Sequence, residues 1–251
     1  MIRSDTANRV ARIRFDRIEK KNALTAEMYR MLAEALAAAA ADPQVRAVLL
    51  HGSPDCFTAG NDLSDFLNRA PGESPVFRLF EVLPALEKPV VAAVGGPAVG
   101  IGTTMLLHCD LVYAAPEARF QLPFVPLGIV PEFGSTLLLP LLAGYQRAAE
   151  LLLLGQPFTS QKAQEAGIVT AIVPQERLLE EAEKAALALA ALPPESIRLT
   201  KRLMKSGYAR QLREQIAEEG RLFVERLASP EAKEAMSAFL EKRKPDFSRL
   251  P

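Results

Sequence analysis

Cysteine is scarce in this chain of 251 residues, where Cys56 and Cys109 are the only two. Two cysteines make no disulfide framework. Apart from the adjacent His108 and Cys109, neither has a Cys or His neighbour at metal-ligand spacing. Adjacent side chains on a regular element diverge, so no metal site is expected. Histidine is equally rare, and with His51 and His108 alone a Ser–His–Asp triad has few ways to assemble. Both histidines read as core-edge or strand-end residues. Net charge is absent, because thirty acids balance thirty bases. A sequence-independent nucleic-acid binder ordinarily carries a basic face, so nucleic acid is not an expected partner. No apolar run is long enough to span a bilayer. The opening residues MIRSDTANRV lack the apolar stretch of a signal peptide. A soluble, cytoplasmic protein with no membrane partner is expected. Phosphate-binding signatures are missing as well. There is no G-x-x-x-x-G-K-[ST], and GGPAVGIGTT at 95–104 does not match G-x-G-x-x-G.

What is present is a large apolar fraction, 49%, enough for a substantial core in one α/β domain. Strand and helix patterns alternate through the first part of the chain. Val10 to Phe15 alternates like a half-exposed strand, and Val45 to Leu50 and Pro89 to Val94 read as buried strands. Thr25 is placed to cap a helix reaching about Ala41, where Asp42-Pro43 stops it. A helix bent or broken near Pro84 is expected over 75–87, and a small-residue helix over 100–108. After Ala148 helical periodicity dominates, with segments at 145–154, 160–167, 176–191, 194–207, 211–227 and 230–242. The expected division is a core over 1–190 and a helical region over 191–251.

One carboxylate stands apart. Between Phe120 and Gln146, Glu132 is the only ionisable side chain of the Asp, Glu, Lys, Arg and His types. Apolar surroundings disfavour the charged form and raise the proton affinity of an acid toward neutrality. That is what a general base needs near pH 7. The structural alternative is a first-turn glutamate favoured by a helix dipole.

Two glycine-containing turns are candidate anion sites. Thr58-Ala59-Gly60-Asn61-Asp62-Leu63 follows one strand, and Gly95 to Thr104 leads from another into a helix. Gly60 permits close backbone approach to a ligand. Helix N-termini present unpaired N–H groups. Two such turns at neighbouring strand ends are able to aim one N–H each at a single oxygen. The alternative is that the glycines serve only tight turns.

Five segments then carry a resemblance: DRIEKKNALT (16–25), FTAGNDLSDF (57–66), KPVVAAVGGPAVGIGTTMLLHCDLVYA (88–114), LGIVPEFGST (127–136) and AQEAGIVTAIVP (163–174). In order and spacing they resemble the enoyl-CoA hydratase/isomerase, or crotonase, superfamily, over nearly the whole chain. The resemblance implies an α/β spiral of repeated ββα units with a C-terminal helical trimerisation region. It implies an acyl-CoA thioester as partner and substrate, a homotrimer or dimer of trimers, and no cofactor beyond the substrate's own coenzyme A. It puts the two oxyanion-hole N–H groups at Asn61 and Ile101. Ala59, Gly60, Asp62 and Leu63 are implied to line the acyl-CoA channel, with Leu24 near the adenine end and Lys242 or Lys244 near a CoA phosphate. Hydratases of the family carry two glutamates, at places where this chain has Thr104 and Phe124. The chain's own acid, Glu132, lies where peroxisomal-type Δ3,Δ2-enoyl-CoA isomerases carry theirs. The resemblance therefore implies a Δ3-to-Δ2 enoyl-CoA isomerase with Glu132 as its single acid–base residue. Ring or epoxide isomerisation, weak hydration and non-catalytic acyl-CoA binding are the alternatives.

Overall fold

The computed structural model describes residues 1–62, 75–241, 243–248 and 250. Its strands are β1 (Ile2–Ala7), β2 (Val10–Phe15), β3 (Ala47–His51), β4 (Val90–Val94), β5 (Pro97–Val99), β6 (Leu111–Ala114), β7 (Arg119–Gln121), β8 (Phe158–Thr159) and β9 (Ala171–Ile172). The helices are α1 (Ala26–Ala41), α2 (Val76–Ala85), α3 (Ile101–Thr104), α4 (Ser135–Ala143), α5 (Tyr145–Leu154), α6 (Ser160–Glu165), α7 (Leu178–Ala191), α8 (Pro194–Ser206), α9 (Ala209–Leu227) and α10 (Pro230–Leu240).

The main sheet runs β1-β2-β3-β4-β6-β9. Its first pair is an antiparallel hairpin, and the remaining pairings are parallel. Asn8 and Arg9 turn the hairpin with φ of 50° and 67°. Two consecutive left-handed residues are what a tight two-residue hairpin loop demands. Strand alternation then divides the core into two layers. Ala47, Leu49, Val91 and Ala93 face α7, which answers with Leu178, Ala182, Ala186 and Ala190 at helical spacing. Val48, Leu50, Val90, Ala92 and Val94 face the opposite way, into the larger cluster with α1 and α2. Burial on both faces explains why these strands are apolar throughout, as parallel strands usually are.

After leaving the main sheet, the chain repeatedly makes a second, shorter extended step. Leu24 follows β2, Thr58 follows β3, β5 follows β4 and β7 follows β6. These steps stack side by side through the pairs Leu24 with Asn61, Thr58 with Ala98, Ala98 with Phe120, and Phe120 with Phe158. Helices, among them α1 after Leu24 and α2 before β4, carry the chain back to the main sheet, so the repeated ββα spiral is present. The region after Ala191 is helical and packs onto this core, with Ala232 inside the main cluster and Ile216, Phe223 and Leu227 against it.

Three differences from the sequence expectations matter. The segment 100–108 is not one helix, because α3 ends at Thr104 and a 3₁₀ turn continues to His108. Strands β7 and β8, of three and two residues, interrupt stretches without strand periodicity. Helix α2 is unbroken at Pro84 and ends one residue later, at Ala85. Among the described residues, no helix is long and apolar enough to cross a membrane.

Candidate active site

Stacking of the second-layer steps brings two turns together at one cavity of about 330 Å³. Ala59, Gly60 and Asn61 supply one wall, Val99, Gly100 and Ile101 the next, and Phe124, Leu127 and Ile129 a third. Phe223 and Met236 reach in from α9 and α10. The described lining carries no charged side chain.

The first turn is held by its neighbours rather than by its own contacts. The Thr58 hydroxyl donates to the Asn22 carbonyl at 2.7 Å and accepts from the Gly60 N–H at 3.1 Å. Leu24 bridges the turn through its backbone, donating to the Gly60 carbonyl at 2.8 Å and accepting from the Asp62 N–H at 2.9 Å. Arg17 reaches both the Ala23 carbonyl and the Asp62 carboxylate, the latter at 2.7 Å. The buried Tyr29 hydroxyl donates to the Asn61 side-chain oxygen at 2.6 Å. Gly60 has φ +89°, and a Cβ there would lie 2.7 Å from the Val99 carbonyl oxygen. Glycine is needed because the two turns touch backbone to backbone.

The second turn pivots on Gly100, at φ 56° and ψ −118°. Its carbonyl accepts from the N–H groups of Thr103 and Thr104 at 2.9 and 3.0 Å. Ile101 is the first residue of α3, so its N–H has no intrahelical acceptor. Among the described residues, neither the Asn61 nor the Ile101 N–H has an acceptor. Two unpaired main-chain donors from adjacent turns thus line one cavity, a geometry suited to a developing oxyanion.

Glu132 lies three residues beyond Ile129, on the segment leading into α4. It is 4% exposed, and its Oε1 has no hydrogen-bond partner among the described residues. Burial, and then the negative charge of Glu219, push its carboxyl up to about 8. A buried carboxyl without a local donor or cation is costly to ionise, which is how a carboxylate is made basic. His108 is also buried and is pushed down to about 3 by desolvation, so it is neutral. Its Nε2 lies 2.8 Å from the Phe133 carbonyl, which makes Nε2 the protonated nitrogen.

Ala59, Gly60, Asn61, Ile101 and Phe124 therefore meet at one cavity. Glu132 is buried nearby in sequence but is not one of the residues lining that cavity. Leu24 is a core residue whose backbone, not its side chain, joins the turn. Asp62 is engaged by Arg17, and the residues that follow it lie outside the described ones. Leu63 and Lys242 lie outside the described residues, and Lys244 is exposed. Thr104 is fully buried. The described residues contain no group of three His, Cys, Asp or Glu able to hold a metal. Sequence reasoning did not single out Arg17, Asn22, Tyr29 or Glu219. Asn22, fully buried at φ +53°, left one signal in the sequence, because asparagine is among the few non-glycine residues that accept a left-handed backbone.

The model for the family described as enoyl-CoA hydratase/isomerase matches residues 5–249. The chain is 34% identical over 242 residues to 2,3-dehydroadipyl-CoA hydratase of Escherichia coli, with 95% of each chain covered. It is 36% identical over 250 residues to 1,2-epoxyphenylacetyl-CoA isomerase of the same organism, again with 95% of each covered. Among solved structures, an enoyl-CoA hydratase/isomerase from Pseudoalteromonas atlantica T6c superposes with a TM-score of 0.94 at 44% identity, over 98% of this chain and 99% of the other.

Proposed function

This chain belongs to the enoyl-CoA hydratase/isomerase family, whose members process acyl-CoA thioesters, and from that premise we propose that it is a Δ3-to-Δ2 enoyl-CoA isomerase. The observation that carries the reading is a solitary one. Glu132 is a buried carboxyl with an unpartnered oxygen and raised proton affinity, while the two other family acid positions hold Thr104 and Phe124. Hydration needs one group to activate water and another to protonate carbon. A double-bond shift needs one.

In the proposed reaction the thioester oxygen accepts from the N–H groups of Asn61 and Ile101. Glu132, ionised, removes a proton from C2, and the C–H electron pair flows into a dienolate whose negative charge rests on that oxygen. The same carboxyl returns the proton to C4, the electrons move back, and the double bond ends between C2 and C3. Each oxyanion donor is worth about 3 kcal/mol of barrier. Phe124 and the other apolar walls exclude water and so suppress addition to the double bond. The proton transfer calls for no metal or redox cofactor, and coenzyme A enters as part of the substrate. A homotrimer or dimer of trimers in the cytoplasm completes the proposal.

The test is incubation with a 3-enoyl-CoA, with formation of the conjugated 2-enoyl thioester followed by absorbance. Unchanged substrate at high enzyme concentration would end the isomerase reading. A second reading, isomerisation of an epoxide or ring-bearing acyl-CoA by the same acid, is favoured by the 36% identity to 1,2-epoxyphenylacetyl-CoA isomerase. Turnover of such esters, with 3-enoyl-CoA left intact, would select it.

A further inference from the structure

The peptide unit joining Phe133 to Gly134 is gripped at both ends. Its carbonyl accepts from His108 Nε2–H at 2.8 Å. Its N–H donates to Glu219 Oε2 at 2.5 Å. This is the second peptide unit after Glu132, which carries the proposed base. Phe133 has φ +62°, a conformation a bulky aromatic adopts only when its surroundings impose it. The surroundings are present. The Phe133 ring sits between Phe80, with centroids 4.2 Å apart, and the His108 ring at 4.0 Å. On the other side α9 presses against Gly134, where a Cβ would lie 2.3 Å from Leu212 Cδ1.

Glu219 is more than a helix cap. Its Oε1 accepts from the Thr136 N–H at 3.0 Å and from the Thr136 hydroxyl, so it caps α4 from 83 residues away. A local Ser, Thr or Asn does that job without burying a charge. Glu219 is 3% exposed, and among the described residues no cation pairs with it. A buried carboxylate without a cation is expensive. What it adds over a neutral cap is a negative charge beside Glu132.

We propose that Glu219 and His108 are positioning residues for Glu132, clamping the 133–134 peptide from its two ends so that the base is held in one orientation beside a fixed negative charge. This rests on the reading of Glu132 as the base. The charges around the pair are few. Among the described residues Glu219 is the charged side chain acting on Glu132. Lys201 and Lys205 act on His108 and help keep it neutral. Glu81, Lys205, Arg213 and Arg221 line a separate groove between α2 and α9. Burial raises the carboxyl of Glu219 and the donors of Thr136 and Gly134 oppose the rise. Those donors favour ionisation of Glu219, whose charge in turn favours the protonated form of Glu132.

The experiment uses the full chain and two readouts. The first needs no substrate: the infrared band of protonated Glu132, identified by its loss in Glu132→Gln, is followed against pH. Its midpoint should drop by about one pH unit in Glu219→Gln, where the neighbouring charge is gone, and stay in place in Glu219→Asp. An unmoved midpoint in Glu219→Gln overturns the electrostatic part. The second is turnover. Both Glu219 variants and His108→Phe, which keeps a ring against Phe133 but loses the donor, should lower kcat at least ~10-fold with KM within about threefold. Wild-type kcat in all three overturns the clamp. Should Glu219→Gln fail to fold, Glu219→Asp and His108→Phe decide the clamp by the same criterion. Wild-type turnover in Glu132→Gln would instead sink the base assignment, a result distinct from an inert clamp in an enzyme that still needs Glu132.

Discussion

Glu132 ties together local sequence, burial and pH dependence. In the proposed reaction the ionised form removes the proton, so kcat/KM should climb about tenfold per pH unit on the acid side and level off near the value of about 8 to which burial pushes this carboxyl. A rate profile that is flat from pH 6 to 9 would contradict that ionisation. Replacing Glu132 by Gln should cut turnover at least ~100-fold while leaving thioester binding intact. The same residue should cost stability. Unfolded, this carboxyl ionises near its ordinary value of 4.5, and folded it holds its proton to about 8. Between those values unfolding releases a proton, so the folded state loses stability as pH rises. Melting temperatures of Glu132→Gln and wild type should converge below pH 4.5 and diverge toward pH 8, with the variant the more stable. The lone acid in an apolar run was legible in the sequence. Glu219, which adds to its basicity, was not, because 87 positions separate the two and helix α9 carries many other glutamates.

At the scale of the element, the proposed reaction needs the two turns as a pair. Gly60→Ala puts a Cβ 2.7 Å from the Val99 oxygen at φ +89°, and Gly102→Ala puts one 2.7 Å from Thr58 Cγ2. The first meets backbone and cannot be relieved by a rotamer. Gly60→Ala should therefore lose at least ~100-fold in kcat through displacement of the Asn61 donor, and Gly102→Ala should lose less. Equal, near-wild-type rates in both would show that the turns need no close contact. Tyr29→Phe removes the anchor of Asn61 while keeping the ring in the core, and is expected to slow turnover with an unchanged fold by circular dichroism. Helices such as α5 and α8 were readable because ten or more residues repeat one pattern. Strands of two or three residues hold too few positions to show a period, so β5, β7 and β8 appear only when a partner from another turn pairs with them.

For the whole molecule, the helical region after Ala191 closes the site from the side. Phe223 and Met236 line the cavity that Asn61 and Ile101 share, so α9 and α10 belong to the site as well as to the core. Phe223→Ala is expected to weaken thioester binding more than it slows chemistry, read as a rise in KM exceeding any fall in kcat. The proposed trimeric assembly is checked by sedimentation equilibrium, where a monomer mass at working concentration would count against it. Family, layered α/β plan, the lone acid and the two glycine turns follow from the linear order of residues, because each is written in motif, periodicity or local composition. The junction of those turns at one cavity, the engagement of Asp62 by Arg17 and the grip on the 133–134 peptide do not. Each joins residues far apart in the chain, and a hydrogen bond or a close approach across such a gap exists only once the layers have stacked.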